Sequence, residues 1–182
     1  MMRKPYLIIS IFFLVSLFNN INAQKKYATT NGNIYIRGTI NETPFIARSN
    51  NLAIFLNYET TEFTLRLEKS SLHTGIDSLD EIFRDLKNDF IVYKGELGLD
   101  YIETNRHKPL NFGVKGYVDQ PGDDIYITGE GQLVHVFGDI YSCVLSMNFN
   151  LDLNDLDFEN KIEGLDNHVQ IKIVQTVLDR DK

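Results

Sequence analysis

Cys143-Val144-Leu145-Ser146-Met147-Asn148-Phe149-Asn150-Leu151 alternates with a period of two: Cys143, Leu145, Met147, Phe149 and Leu151 fall on one face, and Ser146, Asn148 and Asn150 on the other. Successive side chains of a strand point to opposite faces, so this stretch reads as a strand with one buried and one wet side. The same pattern recurs upstream. Phe63, Leu65 and Leu67 alternate with Thr64, Arg66 and Glu68, and Leu97, Leu99 and Tyr101 alternate with Glu96, Gly98 and Asp100. Further strands are expected over Asn33 to Ile40, Leu52 to Tyr58, Leu110 to Val118, Asp124 to His135 and His168 to Val177. Turn chemistry separates them at Asn31-Gly32, at Asn41-Glu42-Thr43-Pro44 and at Asp119-Gln120-Pro121-Gly122-Asp123.

One segment has a different period. Leu79, Ile82, Phe83, Leu86 and Phe90 recur at steps of three and four, while Asp80, Glu81, Arg84, Asp85 and Lys87 occupy the other positions. That spacing predicts an amphipathic helix lying against the sheet, with Ser78 and Glu81 as a capping box at its start. The stretch Asp152 to Asn167 holds few apolar residues and reads as a loop. About eight antiparallel strands and one helix suit a closed antiparallel β-barrel, because closure removes exposed strand edges. A two-sheet β-sandwich explains the alternation equally well.

Residues 1 to 23 have the layout of a cleavable secretory signal peptide: Arg3 and Lys4, an apolar run from Tyr6 to Phe18, and a polar tail ending in Ala23. Thirteen apolar residues cover roughly 20 Å as a helix, short of a hydrocarbon core of roughly 30 Å, so a stable membrane span is not expected. Cleavage after Ala23 would leave residues 24 to 182 as a single domain in the periplasm or outside the cell. Loss of Arg3 and Lys4 takes the formal charge from −7 to −9. An acidic domain of this kind lacks the clustered cations that nucleic acid or anionic headgroups require. The one cysteine, Cys143, excludes an internal disulfide and shares its face with Leu145 and Met147, the setting of a buried, inert thiol.

No pattern of catalytic or metal-ligating residues stands out. His73, His107, His135 and His168 lack the close spacing of a ligand pair on one element; His135 follows the apolar Leu133-Val134 and is the histidine of most interest. Asp152, Asn154, Asp155 and Asp157 lack the spacing and central glycine of a calcium loop. Gly129-Glu130-Gly131 leads into an apolar stretch rather than a helix, which argues against a phosphate site. Asn41-Glu42-Thr43 is a glycosylation sequon. The chain is therefore read as no enzyme, with no cofactor and no metal. Twelve Phe and nine Tyr supply wide apolar side chains. A barrel of about eight strands either packs such groups solid or leaves room for one ligand.

Taken in order, several stretches resemble the YceI-like family of exported bacterial proteins. Lys26-Tyr27 with Gly32 to Ile36 is similar to that family's first strand. Ile46-Ala47-Arg48-Ser49-Asn50-Asn51, then Tyr58-Glu59-Thr60-Thr61-Glu62-Phe63, look like its second and third. The helix around Leu79 to Leu86 stands where the family places one over the barrel. Tyr101-Ile102-Glu103-Thr104 with Pro109, Phe112 and Gly116 resembles its passage into a central strand. Gly131-Gln132-Leu133 with His135 and Gly138 is similar to a Gly-x-Leu then His-Gly pattern, except that His135 and Gly138 are not adjacent. The resemblance implies a lipocalin-like barrel holding a polyisoprenoid or another long apolar chain. The side chains then expected to line the ligand are Phe63, Leu65, Leu97, Leu99, Phe112, Val114, Leu145, Met147 and Phe149, with Ile82 and Phe83 closing one end. The competing expectation is an envelope protein-interaction module with a filled core and no ligand.

Overall fold

The computed structural model describes residues 25–103, 107–119, 124–136, 142–154 and 164–180. The signal-peptide segment, most of the Asp119–Asp123 turn, Thr104, Gly138 and the acidic Asp155 and Asp157 lie outside the described residues. Eight strands run as β1 Lys26–Ile40, β2 Thr43–Asn57, β3 Glu62–Glu68, β4 Phe90–Leu97, β5 Leu110–Asp119, β6 Ile125–His135, β7 Ser142–Asp152 and β8 His168–Arg180. Each pairs antiparallel with the next, and β1 pairs with β8, closing the barrel. That closure decides for the barrel over the sandwich.

The alternation on β7 is borne out. Cys143, Leu145, Met147 and Phe149 are buried inside, while Asn148 and Asn150 face outward. Three strands need a correction of phase to keep apolar groups inside. β1 and β2 slip register around Gly32 and Leu52, and β8 carries one extra residue opposite Leu145–Met147, where Gln175 has φ +42° and its N–H donates to Ser146 Oγ at 3.2 Å. Each irregularity exchanges odd for even positions on the inner face. Asn31-Gly32, expected as a turn, is thus a bulge within β1. A Cβ on Gly32 would stand 2.8 Å from the Leu52 carbonyl oxygen. The β1–β2 turn lies where expected, at Asn41 and Glu42, both at positive φ (48° and 64°), as in the hairpin turns that match strand twist.

The segment between β3 and β4 departs most from expectation. After a 3-10 turn at Lys69–Ser71, helix α1 covers Asp77–Asp85 only. Phe90, which continues the helical spacing, instead opens β4 under the guanidinium of Arg66, 3.8 Å above its ring. The chain leaves the helix through Asn88 at φ +65°, and the Lys69 N–H bonds the Asp89 carbonyl. β4 ends at Leu97, and Tyr101, expected on that strand, is exposed. The Ser78–Glu81 capping box does not form, because the helix begins one residue before Ser78. Asp80 does the work: its carboxylate accepts the Thr74 N–H (2.6 Å), the Thr74 hydroxyl (2.7 Å) and the Gly75 N–H (3.2 Å), which hold it below the usual carboxylate range. Helix α1 packs on the 3-10 turn, with Leu79 as its buried residue, while Phe83 packs against the barrel core.

Candidate functional site

The β1–β2 turn, α1 and the start of β4 lie at one end of the barrel, here the helix end. The first residues of β1, the β2–β3 turn, the β4–β5 connection and the end of β8 lie at the other. The two ends are filled differently.

Across the middle, aromatic rings span the lumen because glycines on the facing strands give way to them. The Tyr93 ring sits over Gly116, where an added Cβ would come within 2.8 Å of Tyr93 Cζ. The Tyr93 hydroxyl donates to the Ile127 carbonyl at 2.9 Å, so its polar end is satisfied inside, and burial raises its pKa. Phe63 lies on one side of that ring at 5.5 Å and Phe149 on the other, edge-on, at 5.5 Å. Phe149 occupies the space that a side chain on Gly129 would fill, as Phe112 does at Gly131. Such exchange of small for large residues is how a narrow barrel packs wide side chains.

Between these rings and the helix end lies a cavity of about 80 Å³. Every lining side chain is apolar or aromatic. Leu52, Ile34, Leu65, Leu67, Tyr93, Ile127, Phe149 and Ile173 form its buried walls, and Ile36, Ile91, Val118 and Ile171, only half-buried, form its rim. The gradient of exposure marks the helix end as the mouth. A larger hollow of about 970 Å³ lies on the outer wall across β5 to β8, open to solvent and of mixed lining, with Asn111, Glu130, Gln132, Asn148 and Lys172 beside Val174.

Below the rings the lumen is packed. Val114, Leu133, Leu145, Leu56 and Leu178 are fully buried, and Tyr27 stacks on Tyr58 with centroids 3.9 Å apart. Burial raises the Tyr58 hydroxyl far above its ordinary value, and the neighbouring Cys143 thiol adds to the shift. Burial likewise pushes the Cys143 thiol up to about 12, which makes it an inert thiol. His107 and His135, far apart in sequence, meet here with ring centroids 4.2 Å apart. Burial lowers the His107 pKa, and the charge of His135 lowers it further, against the Lys108 carbonyl that holds its Nδ1 at 2.7 Å. No carboxylate joins the pair by a hydrogen bond among the described residues; the nearest Glu103 contact is its backbone carbonyl, 3.5 Å from His135 Nε2. His73 bridges to Arg48 through its backbone, and His168 lies 3.9 Å from Asp152. No group of three potential metal ligands occurs among the described residues.

The residues expected to line a ligand are thus distributed over three places. Leu65 and Phe149 line the cavity. Phe63, Leu97, Phe112, Val114, Leu145 and Met147 are buried at or below the ring layer, and Leu99 is half-buried beyond β4. At the helix end Phe83 packs on the core, but Ile82 is 50 % exposed and closes nothing, since it falls on the outer side of the short α1. Sequence reading missed Ile34, Ile36, Leu52, Leu67, Ile91, Tyr93, Val118, Ile127, Ile171 and Ile173. Ile91 and Tyr93 fall between the expected helix and the alternation at Leu97 to Tyr101, where no strand was expected; the others lie on expected strands, but period two reports the face and not the depth.

No protein-family model matches the chain, and no curated protein matches it. Among solved structures it is similar to a polyisoprenoid binding domain from Saccharophagus degradans implicated in plant cell wall breakdown, with a TM-score of 0.66 and 10% identity, over 87% of this chain and 99% of that one. At that identity the likeness is one of fold: a mainly β, closed eight-stranded barrel. Among the described residues no helix is long and apolar enough to cross a membrane.

Proposed function

We propose that the chain is an exported, non-enzymatic binding protein that holds an isoprenoid- or lipid-like chain in the helix end of its barrel, as a single domain in the periplasm or outside the cell. One observation carries the reading: the cavity is lined only by apolar and aromatic side chains, and its one hydroxyl, on Tyr93, is already turned to the Ile127 carbonyl. Such a site offers an apolar chain burial worth about 25 cal/mol per Å² and offers a polar ligand nothing. The fold shared with a polyisoprenoid binding domain supports the same reading, and the layout of residues 1 to 23 supports export. Native mass spectrometry of the purified protein, followed by solvent extraction, tests it. An apolar adduct, or uptake of isoprenoid or fatty acyl chains by an empty protein, is expected. A protein that is empty and takes up neither would sink it.

The packed lower half of the barrel favours a second reading, a module with a filled core that acts on another envelope protein through its outer wall. The same experiment separates the two, because the module takes up no chain.

A further inference from the structure

The ring layer divides the lumen, and its position has a consequence for ligand choice. Tyr93 crosses from β4 to the carbonyl of Ile127 on β6, with Phe63 and Phe149 against its two sides at 5.5 Å each. Beneath it the interior continues as fully buried Val114, Leu133 and Leu145 down to the Tyr27–Tyr58 stack. Above it, rim and floor are at most two strand residues apart: Ile91 and Tyr93 are two apart on β4, while the rim residues Val118 and Ile171 pair directly with Tyr93 and Phe149. At about 3.3 Å per residue that is a depth of roughly 7 Å, the length of about five carbons of a tail. The cavity volume of about 80 Å³ agrees with so shallow a site; it is smaller than the roughly 150 Å³ that takes up benzene in an engineered core, and so admits only the first few carbons.

We propose that Tyr93 and Phe149, with Phe63 packed behind Tyr93, are the length-determining floor of the site, and that its ligand class is an amphiphile with one short apolar tail inserted from the helix end. A longer chain leaves its remaining carbons and its head outside the mouth. The inference rests on the apolar-carrier reading above. The glycines explain why the floor is rigid: with Gly116 beneath Tyr93 and Gly129 beside Phe149, each ring fills a place that its neighbour's missing side chain leaves free. Movement of either ring would open a void there, and movement of Tyr93 would also break its hydroxyl's hydrogen bond to the Ile127 carbonyl.

Affinity as a function of tail length reads this out. Each buried methylene raises affinity roughly fourfold. The full chain, stripped of any co-purified lipid, is incubated below micellar concentration with an equimolar set of 1-monoacylglycerols of two to eighteen carbons, and occupancy is read by native mass spectrometry. Wild type is expected to gain roughly fourfold per carbon up to a break at about five carbons or fewer, and nothing beyond it. Phe149→Ala moves the break to longer tails by two carbons or more. Phe149→Leu, a milder change for which folding is checked by circular dichroism, moves it in the same direction by less. Continued gain through eighteen carbons in wild type, or an unmoved break in both folded variants, overturns the floor while leaving the carrier reading intact. Failure of folded wild type and variants to take up any tail overturns both.

Discussion

The rings of Tyr27 and Tyr58 stack at 3.9 Å between centroids, their planes 19° apart, and so tie the start of strand β1 to the residue that follows β2. Both side chains are fully buried, and the Tyr58 N–H and carbonyl also bond the Lys25 carbonyl and the Ile102 N–H. The stack is therefore the plug of the end opposite the mouth. Tyr58→Ala removes it and is expected to cost about 3–5 kcal/mol in urea denaturation. Tyr58→Phe keeps the ring and removes only a buried hydroxyl that has no hydrogen-bond partner among the described residues, so it is expected to be neutral or stabilising, within about 1 kcal/mol. Equal losses in the two variants would show that the hydroxyl, not the stack, closes this end.

His107 gives the pH dependence a sign. Burial, with the charge of His135, holds its folded-state pKa below the ordinary 6.5. Between that ordinary value and the folded one, the unfolded chain binds a proton that the folded chain does not. Stability is therefore full above about pH 6.5 and falls as the pH drops through the folded value. Glu68, lowered by the Asn88 N–H and the Ser70 hydroxyl, and Asp80, lowered by Thr74, lose their contribution only in the carboxylate range further down. Urea midpoints at pH 7.5 and 5.5 should drop more for wild type than for His107→Gln. An equal drop would assign the titration elsewhere.

Two glycines on neighbouring strands should respond oppositely. A Cβ on Gly129 would collide with the Phe149 ring and stand 2.7 Å from the Asn148 carbonyl oxygen, whereas one on Gly113 meets nothing within 4 Å. Gly129→Ala is expected to cost about 1–3 kcal/mol by overpacking. Gly113→Ala is expected to be neutral or to stabilise by about 0.4–1 kcal/mol through the unfolded state. Thermal denaturation of the two variants side by side checks the contrast.

The β architecture was legible because alternation such as that of Cys143 to Leu151 marks a strand with one buried face, and strands of this kind account for nearly the whole fold; the choice of barrel over sandwich was not, because it rests on the pairing of β1 with β8. The boundary between helix and β4 was not. Phe90 continues the three-four spacing from Leu86, and the break rests on the positive φ of Asn88 and a tertiary contact of Phe90 with Arg66. The cavity was legible only as a class of residue. Leu145 and Phe149 share one face of one strand, yet Leu145 lies in the packed half and Phe149 in the cavity wall, because strand position along the barrel axis and the glycines opposite decide what each meets. The meeting of His107 with His135 arises from the β4–β5 connection folding over the end of β6, which no local spacing encodes.

The start of α1 separates two kinds of capping. Ser78 lies inside the helix and makes no cap hydrogen bond, so Ser78→Ala should leave hydrogen exchange of residues 74 to 80 unchanged. Asp80 reaches back to the Thr74 and Gly75 N–H groups and the Thr74 hydroxyl, which fixes the loop entering the helix and so the place of Leu79 on the 3-10 turn. Asp80→Ala frees two N–H groups at once and is expected to raise exchange across residues 74 to 80 and to create a protease-sensitive site there, while the midpoint for global unfolding moves little. Protection that survives in Asp80→Ala but fails in Ser78→Ala would restore the capping box and remove Asp80 from its role.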